Sequence, residues 1–186
     1  MEPKLAEAKE GLRQVYFLDA AHFIYGVYLS TKWSKKRLFI KSSPGRSRFN
    51  VLGALNSVSN EMIVVDNLTT INAWSIHELF QKLRERHPNE KISVFLDNAR
   101  YQRCYISQAS ANMNEIELEY LPPYSPNLNL IERAWKFIKS KSLNSRYHNN
   151  FQEFCQAIKD CIEGFTNKFC SEIKSLLSWN FQTFDL

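Results

Sequence analysis

Residues 72–120 alternate between helical and strand periodicity, and this alternation constrains the fold more than any other feature of the sequence. NAWSIHELFQKLRERH (72–87) places apolar residues at i, i+3, i+4 and i+7 and stops at Pro88, which predicts an amphipathic helix. KISVFLDNA (91–99) is a short apolar run typical of a strand buried on both faces of a parallel sheet. A second helix, roughly 101–112, leads to the alternating strand EIELEYLP. Helices between strands predict parallel crossovers.

The flanking segments complete this fold. VYFLDAAHFIYGVYL (15–29) is rich in β-branched and aromatic residues and contains Gly26, which predicts a central strand followed by a bend or a second strand. RFNVLGALNSVSNEMIVVDN predicts two antiparallel strands joined by a polar turn at 57–60. Amphipathic helices are expected within LPPYSPNLNLIERAWKFIK and over 151–165, with a last helical segment towards the C-terminus. The sequence therefore predicts an α/β fold with a mixed five-stranded sheet and helices on both faces.

Length and composition indicate one soluble domain. At 186 residues the chain is long enough to bury a sizeable core, and no run of 18 apolar residues suggests a membrane span. Residues 1–13 are charged and are expected to be a frayed helix or linker stub, with the domain proper at 14–186. The four cysteines have no CxxC spacing, so reduced thiols in a cytoplasmic protein are expected rather than a zinc site.

The chain carries an excess of basic residues. Its net charge is +5 and its isoelectric point about 9.0, which favours a polyanionic partner. The stretch 31–48 is a solvated loop or a phosphate-contacting surface, and the helix after residue 128 has a basic face open to the same two interpretations. The basic residues of these two segments are Lys32, Lys35, Lys36, Arg37, Lys41, Arg46, Arg48, Arg133, Lys136, Lys139 and Lys141.

Three acids occupy positions where a charge is costly. Asp19 interrupts VYFL and Asp97 ends VFL, each where strand periodicity predicts burial, although either could simply cap a turn or a helix. On a helical wheel, Glu132 lies beside Leu128 and Trp135, at the border of the apolar face of its helix. Trp135 and its neighbours Phe137 and Ile138 are expected to pack rather than to stack on bases.

Glu132 has three structural alternatives to a functional role. With Asn129 as N-cap it would occupy N3 and complete a capping box. With Ser125 as N-cap and Pro126 at N1 it would lie in the second turn and could not cap. It could also pair with Lys136 at i, i+4, which is worth only about 0.3–0.5 kcal/mol.

The three acids could share one function, metal binding, if the fold brings them together. Adjacent parallel strands would place Asp19 beside Asp97, and a helix packed on that edge could add Glu132. Like charges about 4 Å apart repel by about 4 kcal/mol per pair at an effective dielectric near 20, so such a set would require cations. Carboxylate oxygens suit Mg²⁺ or Mn²⁺, and two such ions form the usual clamp for phosphodiester displacement.

The segments FLDAAHF, VFLDNAR and LPPYSPNLNLIERAWKFIK, in this order and with 34 residues between Asp97 and Glu132, resemble the catalytic domain of DDE transposases of the mariner-like superfamily, in its bacterial insertion-sequence branch. The similarity runs from about residue 14 to 165. It implies an RNase H-like fold in which Asp19, Asp97 and Glu132 are the catalytic residues and bind two Mg²⁺ or Mn²⁺ ions.

The resemblance also implies a reaction and partners. Transposon ends would be cut and the freed 3′-hydroxyls joined to a TA target, usually within a dimer, in the cytoplasm of a bacterial cell and associated with its nucleoid. Pro122, Pro123 and Tyr124 would shape the loop ahead of the glutamate. The predicted DNA contacts are Asn98, Arg100, Tyr124, Arg133, Lys136, Lys139, Lys35, Lys36, Arg37, Arg46 and Arg48.

The sequence departs from the family in one respect. Family members usually carry helix-turn-helix domains ahead of the catalytic domain, whereas about 13 residues precede the first strand here. A separate helix-turn-helix polypeptide could supply end recognition, or the chain could be a truncated copy.

The rival functions are a catalytically silent DNA-binding or assembly protein and another RNase H-like nuclease. His22, three residues after Asp19, is expected to be structural rather than a metal ligand.

Overall fold

Five strands form one mixed sheet in the order β3-β2-β1-β4-β5. The computed structural model describes residues 1–26, 28, 35, 39, 41, 45–122 and 128–179. β2 pairs antiparallel with both β1 and β3, whereas β4 pairs parallel with β1 and β5. The strands are β1 (Gln14–Ile24), β2 (Arg48–Asn56), β3 (Met62–Asn67), β4 (Ile92–Leu96) and β5 (Ile116–Tyr120). The predicted hairpin and parallel crossovers are thus confirmed.

Seven helices are present in the described ranges. They are α1 (Glu2–Lys9), α2 (Ala73–Arg86), α3 (Arg100–Arg103), α4 (Tyr105–Met113), α5 (Leu130–Ser142), α6 (Phe151–Glu163) and α7 (Cys170–Leu176). The single helix predicted over 101–112 is divided, because Cys104 adopts an extended backbone (φ −71°, ψ 160°) between α3 and α4. No helix of the described residues has the length and apolarity needed to cross a membrane.

The sheet separates two hydrophobic cores, which confirms that helices cover both of its faces. Alternate residues of β1 point to opposite sides, as strand geometry requires. Phe17, Ala21 and Phe23 pack in the core shared with α5, α6 and α7. Tyr16 and Leu18 pack in the core shared with α2 and α4. By this alternation Asp19 belongs to the face covered by α5.

The N-terminal helix packs against the fold instead of fraying. Leu5 and Ala8 of α1 are buried in the first core, and Lys4 forms an ion pair with Glu117 of β5 (Nζ to Oε1, 2.6 Å). Arg13, which follows α1, also pairs with Glu117. These contacts attach residues 1–13 to the outer strand of the sheet. The proposed division between a stub and a catalytic domain at residues 13 and 14 stays a prediction.

All four cysteines are unpaired. Cys161 lies in the first core, where burial raises the pKa of its thiol to about 11. These thiols are therefore packing groups or surface groups rather than cross-links.

Candidate active site

The side chains of Asp19 and Asp97 lie at equivalent positions along the neighbouring parallel strands β1 and β4. Leu18 of β1 is in register with Leu96 of β4, and this is the last pair of the ladder. Asp19 and Asp97 are the next residues on the two strands, so both follow the point where parallel pairing ends. The predicted adjacency of these two acids is therefore what the strand register produces.

Glu132 approaches this point from α5. It lies in the first turn of that helix, and it lines a cleft of about 380 Å³ between β1 and α5 together with Asp19. Two lysines of α5, Lys136 and Lys139, line the same cleft. The cleft thus combines two acids with two cations able to meet a phosphate.

The three acids act on one another electrostatically. Burial, and then the charges of Asp97 and Glu132, raise the pKa of Asp19 to about 7, while the Ala20 N–H and the positive charge of Lys139 oppose the shift. The pKa of Glu132 is also raised, first by burial and then by Asp97, while Lys136 opposes the shift. At neutral pH the acids therefore repel one another, which favours binding of a cation.

The structural alternatives for Glu132 are not formed. α5 begins at Leu130 with Asn129 as N-cap, but the Asn129 side chain makes no capping hydrogen bond, so the capping box is absent. Ser125 and Pro126 lie outside the described residues. Within the described part of the chain, Lys136 lowers the pKa of Glu132 without forming an ion pair within 4.0 Å.

The three carboxylates suit a hard divalent cation, but they do not form a complete coordination shell by themselves. In the described ranges, no group of three His, Cys, Asp or Glu side chains is already arranged to hold a metal ion. Mg²⁺ commonly binds through one or two carboxylates and completes its shell with waters and substrate phosphate. Three mutually repelling carboxylates, one within β1, one directly after β4 and one on α5, meet that requirement, and their role as ligands stays a prediction.

Two residues near the acids, Gly53 and Asn129, make contacts that were not predicted. Gly53 of β2 pairs with Asp19 and lies against the ring of Trp135. An isolated glycine inside a strand is a known sign of close approach, so this signal was present in the sequence. Asn129, expected only as a possible cap, donates instead to Asp97 (Nδ2 to Oδ1, 3.4 Å). Nothing in the sequence pattern indicated that contact.

Other predicted residues near the site make contacts within the fold. The Asn98 amide donates to the Leu121 carbonyl (2.7 Å), so it holds the segment after β5. Arg133 donates to the carbonyl of Ser178 (3.1 Å), whereas Arg100 is exposed at the start of α3. Trp135 and Ile138 are buried, which confirms their predicted packing role. The DNA contacts assigned to Asn98, Arg100 and Arg133 stay predictions.

The basic stretch before β2 is described only in part. Lys35, Lys41, Arg46 and Arg48 are exposed. Three further predicted DNA contacts, Lys36, Arg37 and Tyr124, lie outside the described residues. Lys32 and the loop residue Pro123 also lie outside them.

His22 is held by a polar contact across the sheet. Its Nδ1 lies 2.7 Å from Oδ1 of Asn50, its partner in the β1–β2 register. The Asn50 amide nitrogen donates to Asn67 Oδ1 (3.2 Å) and to the Thr69 carbonyl (3.0 Å), which leaves Oδ1 to accept from His22. This contact fits the structural role expected for the histidine.

The architecture is the RNase H-like fold of transposase and integrase cores, which confirms the predicted fold class. The profile of the DDE superfamily endonuclease family matches residues 14–155, and the chain belongs to this family. No curated protein shows significant sequence similarity to it.

Solved structures show the same fold at low sequence identity. The Mos1 strand transfer complex matches with a TM-score of 0.64 at 12% identity, over 99% of this chain and 60% of that one. The catalytic core domain of HTLV-2 integrase in complex with magnesium matches with a TM-score of 0.52 at 13% identity, over 82% of this chain and 85% of that one. A simian T-cell lymphotropic virus intasome, solved with the PP2A regulatory subunit B56 gamma, matches with a TM-score of 0.60 at 12% identity over 84% of this chain.

The chain is shorter than several of these proteins. It spans 50% of the matched intasome chain and 60–61% of the Mos1 transposase chains.

Proposed function

We propose that this chain is the catalytic domain of a transposase of the mariner-like superfamily, in its bacterial insertion-sequence branch. It cuts DNA at transposon ends and joins the freed 3′-hydroxyls to a TA target in a reaction that needs a divalent metal. The observation that carries this proposal is that Asp19 and Asp97 directly follow the last pair of the parallel ladder between β1 and β4, while Glu132 shares a cleft with Asp19. Membership of the DDE superfamily endonuclease family supports it.

The three carboxylates of the site would hold two Mg²⁺ or Mn²⁺ ions. Once bound, such ions stabilise the attacking and leaving oxygens of an in-line phosphodiester displacement. The protein's own contribution is position and charge. The pairing of β1 with β4 fixes Asp19 and Asp97, and the first turn of α5 fixes Glu132.

The two lysines of the cleft suit a phosphate substrate. Lys136 and Lys139 line the cleft beside Glu132, and Lys139 is close enough to Asp19 to lower its pKa. A DNA phosphate in the cleft would meet these cations, and phosphate contacts fix the register of a duplex without reading its sequence. Lys136 and Lys139 are therefore assigned to backbone binding.

The proposal extends to partners. They are transposon-end DNA, target DNA, a second copy of the chain, and a helix-turn-helix polypeptide that reads the transposon ends. The structure of the Mos1 paired-end complex with left transposon end, which matches at 14% identity, supports the choice of DNA. The site of action would be the bacterial nucleoid.

Nicking of supercoiled plasmid DNA tests the chemistry. The unaltered protein is expected to nick in Mg²⁺ or Mn²⁺ and not in EDTA, and Asp97→Asn and Glu132→Gln should each lower the rate by about 100-fold or more. Glu163→Gln is the matched control, because Glu163 is an exposed acid at the end of α6. Unchanged nicking by both site variants would show that these carboxylates are not the catalytic set.

A DNA-binding or assembly protein without cleavage activity is the second candidate. It is favoured by the net charge of +5, which suits a polyanionic partner whether or not the acids act on it. Salt-dependent retention of DNA with no cleavage in any divalent metal would support it. An RNA–DNA hybrid offered beside the plasmid distinguishes a third possibility, another RNase H-like nuclease, because only that enzyme would prefer the hybrid.

A further inference from the structure

Asn129 stands at the junction between two of the three acids. It is the N-cap of α5, three residues before Glu132, and only 1% of its surface is exposed. Its Nδ2 donates to Oδ1 of Asp97 across a distance of 3.4 Å. Its own Oδ1 is buried and has no hydrogen-bond partner within the described part of the chain. One amide therefore connects the end of β4 to the start of α5.

The other asparagine N-caps of this chain behave differently. Asn72 accepts from the backbone N–H groups of Trp74 and Ser75 at the start of α2, and Asn150 accepts from that of Glu153 at the start of α6. Both use the side-chain oxygen in the usual way, to satisfy donors that a helix leaves unpaired. At α5 the same residue type makes no such bond.

The orientation of Asn129 has a cost in stability. An N-cap bond is forgone, and a buried oxygen is left unsatisfied, which native structures generally avoid. Departures of this kind from local preference are concentrated at functional sites. In this orientation Asn129, the N-cap of the helix that carries Glu132, instead donates a hydrogen bond to Asp97.

We propose that Asn129 is a positioning residue that orients the Asp97 carboxylate and sets its spacing from Glu132. The inference rests on the proposed function, since it concerns the same three acids. Without the Asn129 N–H, Asp97 has more freedom to rotate, and the first turn of α5 loses its direct link to the end of β4. The consequence is weaker metal binding, because ligands that are not held in place must be ordered when the ion binds.

Substitutions at the cap separate positioning from folding. Asn129→Ser replaces the amide donor, already 3.4 Å from Asp97, with a hydroxyl that is one bond shorter, but leaves a good N-cap residue. Asn129→Ala removes both the donor and the cap. Mn²⁺ binding to the protein without DNA, followed by electron paramagnetic resonance, should weaken by about tenfold in both variants. The midpoint of thermal unfolding in EDTA should stay the same or rise in Asn129→Ser. Asn72→Ser, a cap on the opposite face of the sheet, is the matched control and should leave Mn²⁺ affinity unchanged.

The outcomes distinguish this inference from the proposed function. Weaker Mn²⁺ binding by Asn129→Ser would support positioning even if the unaltered protein never nicks DNA. Unchanged Mn²⁺ affinity in Asn129→Ser would overturn positioning, whatever the nicking assay shows. Loss of affinity in Asn129→Ala but not in Asn129→Ser would also overturn it, because affinity would then follow helix capping. Absence of Mn²⁺ binding by the unaltered protein would overturn both proposals.

Discussion

Gly53 of β2 lies directly against the indole of Trp135 on α5. A Cβ atom at position 53 would fall 2.7 Å from Cζ2 and 2.9 Å from Cη2 of that ring, and 3.1 Å from Cδ1 of Ile131. Gly53 is also the β2 partner of Asp19, and Trp135 lies three residues after Glu132. The missing side chain therefore lets α5 come close enough to the sheet for Glu132 to share a cleft with Asp19.

Gly53→Ala should impair both stability and catalysis. The added methyl group must displace the Trp135 ring, and overpacking of this kind costs about 1–3 kcal/mol. Because Glu132 is on the displaced helix, nicking should fall by about tenfold to 100-fold, since a shift near 1 Å can have that effect. Urea denaturation and plasmid nicking measure the two effects.

The control and the rescue are both available in this chain. Among the residues that the structure describes, a Cβ at Gly26 would meet nothing within 4 Å, so Gly26→Ala should change neither quantity. Combining Gly53→Ala with Trp135→Phe removes the two ring atoms nearest the new methyl group, and the two changes should be less harmful together than their sum. Additive losses would show that the Gly53 to Trp135 contact does not set the position of α5.

The sequence was sufficient to predict that Asp19 and Asp97 lie side by side. Asp19 follows the apolar half of β1 and Asp97 follows β4, and parallel pairing of Val15–Leu18 with Ser93–Leu96 brings the two positions together. Periodicity also predicted α2 and α5, because their apolar faces repeat with helical spacing. The sheet order was not predicted, and the approach of Glu132 to Asp19 was only a conditional expectation, because both depend on the tertiary fold.

The missed features depend on contacts between residues distant in sequence. Asn129 meets Asp97 across 32 positions, and the local pattern favoured a cap instead. Gly53 meets Trp135 across the sheet-helix interface, which no window of the sequence contains. The packing of α1 depends on Glu117, about 100 residues away, so the charged composition of residues 1–13 alone suggested a loose end.

Asp19→Asn should stabilise the metal-free protein at alkaline pH. The pKa of Asp19 is raised from an ordinary 3.8 to about 7, mainly by burial. Below pH 3.8 the group is protonated in both states and contributes nothing. As pH rises from 3.8 to above 7, the unfolded state releases its proton first, so the free energy of unfolding falls. The advantage of Asp19→Asn should therefore grow by about 2–4 kcal/mol between pH 4.5 and pH 8.

Urea denaturation in EDTA at the two pH values measures this difference. Asp160→Asn is the control, because Asp160 is exposed on α6 and its replacement should change stability equally little at both pH values. An advantage of Asp19→Asn that does not grow with pH would contradict a buried, repelled carboxyl at position 19.

Glu117→Gln should destabilise the protein at neutral pH. Whereas Asp19 lowers the free energy of unfolding as pH rises, Glu117 raises it. Hydrogen bonds from Lys4, and then from Arg13 and Ser93, lower the pKa of Glu117 from 4.5 to about 2. This stabilisation is fully present above pH 4.5 and is lost as pH falls through 2. Because half of the Glu117 side chain is exposed, the loss at pH 7 should be only about 0.5–1 kcal/mol.

Urea denaturation at pH 7 and pH 3 measures the Glu117 effect, with Glu163→Gln as the control. The difference between Glu117→Gln and the unaltered protein should shrink at the lower pH, because Glu117 of the unfolded chain then takes up a proton while the native carboxylate stays largely ionised. A difference that is equal at both pH values would show that Glu117 contributes packing rather than charge. The same result would show that the ion pairs of Glu117 do not hold α1 against β5.

Lys136→Gln and Lys139→Gln should weaken DNA binding in a way that salt reveals. Both lysines line the cleft of Asp19 and Glu132, and each phosphate that a lysine neutralises releases about one counterion when DNA binds. Each variant should therefore reduce the slope of log Kobs against log salt by about one, equally for different DNA sequences. Lys174→Gln, an exposed site on α7, is the control and should keep the full slope. An unchanged slope in both cleft variants would mean that these lysines only balance the acids, because a cation that never meets a phosphate releases no counterion.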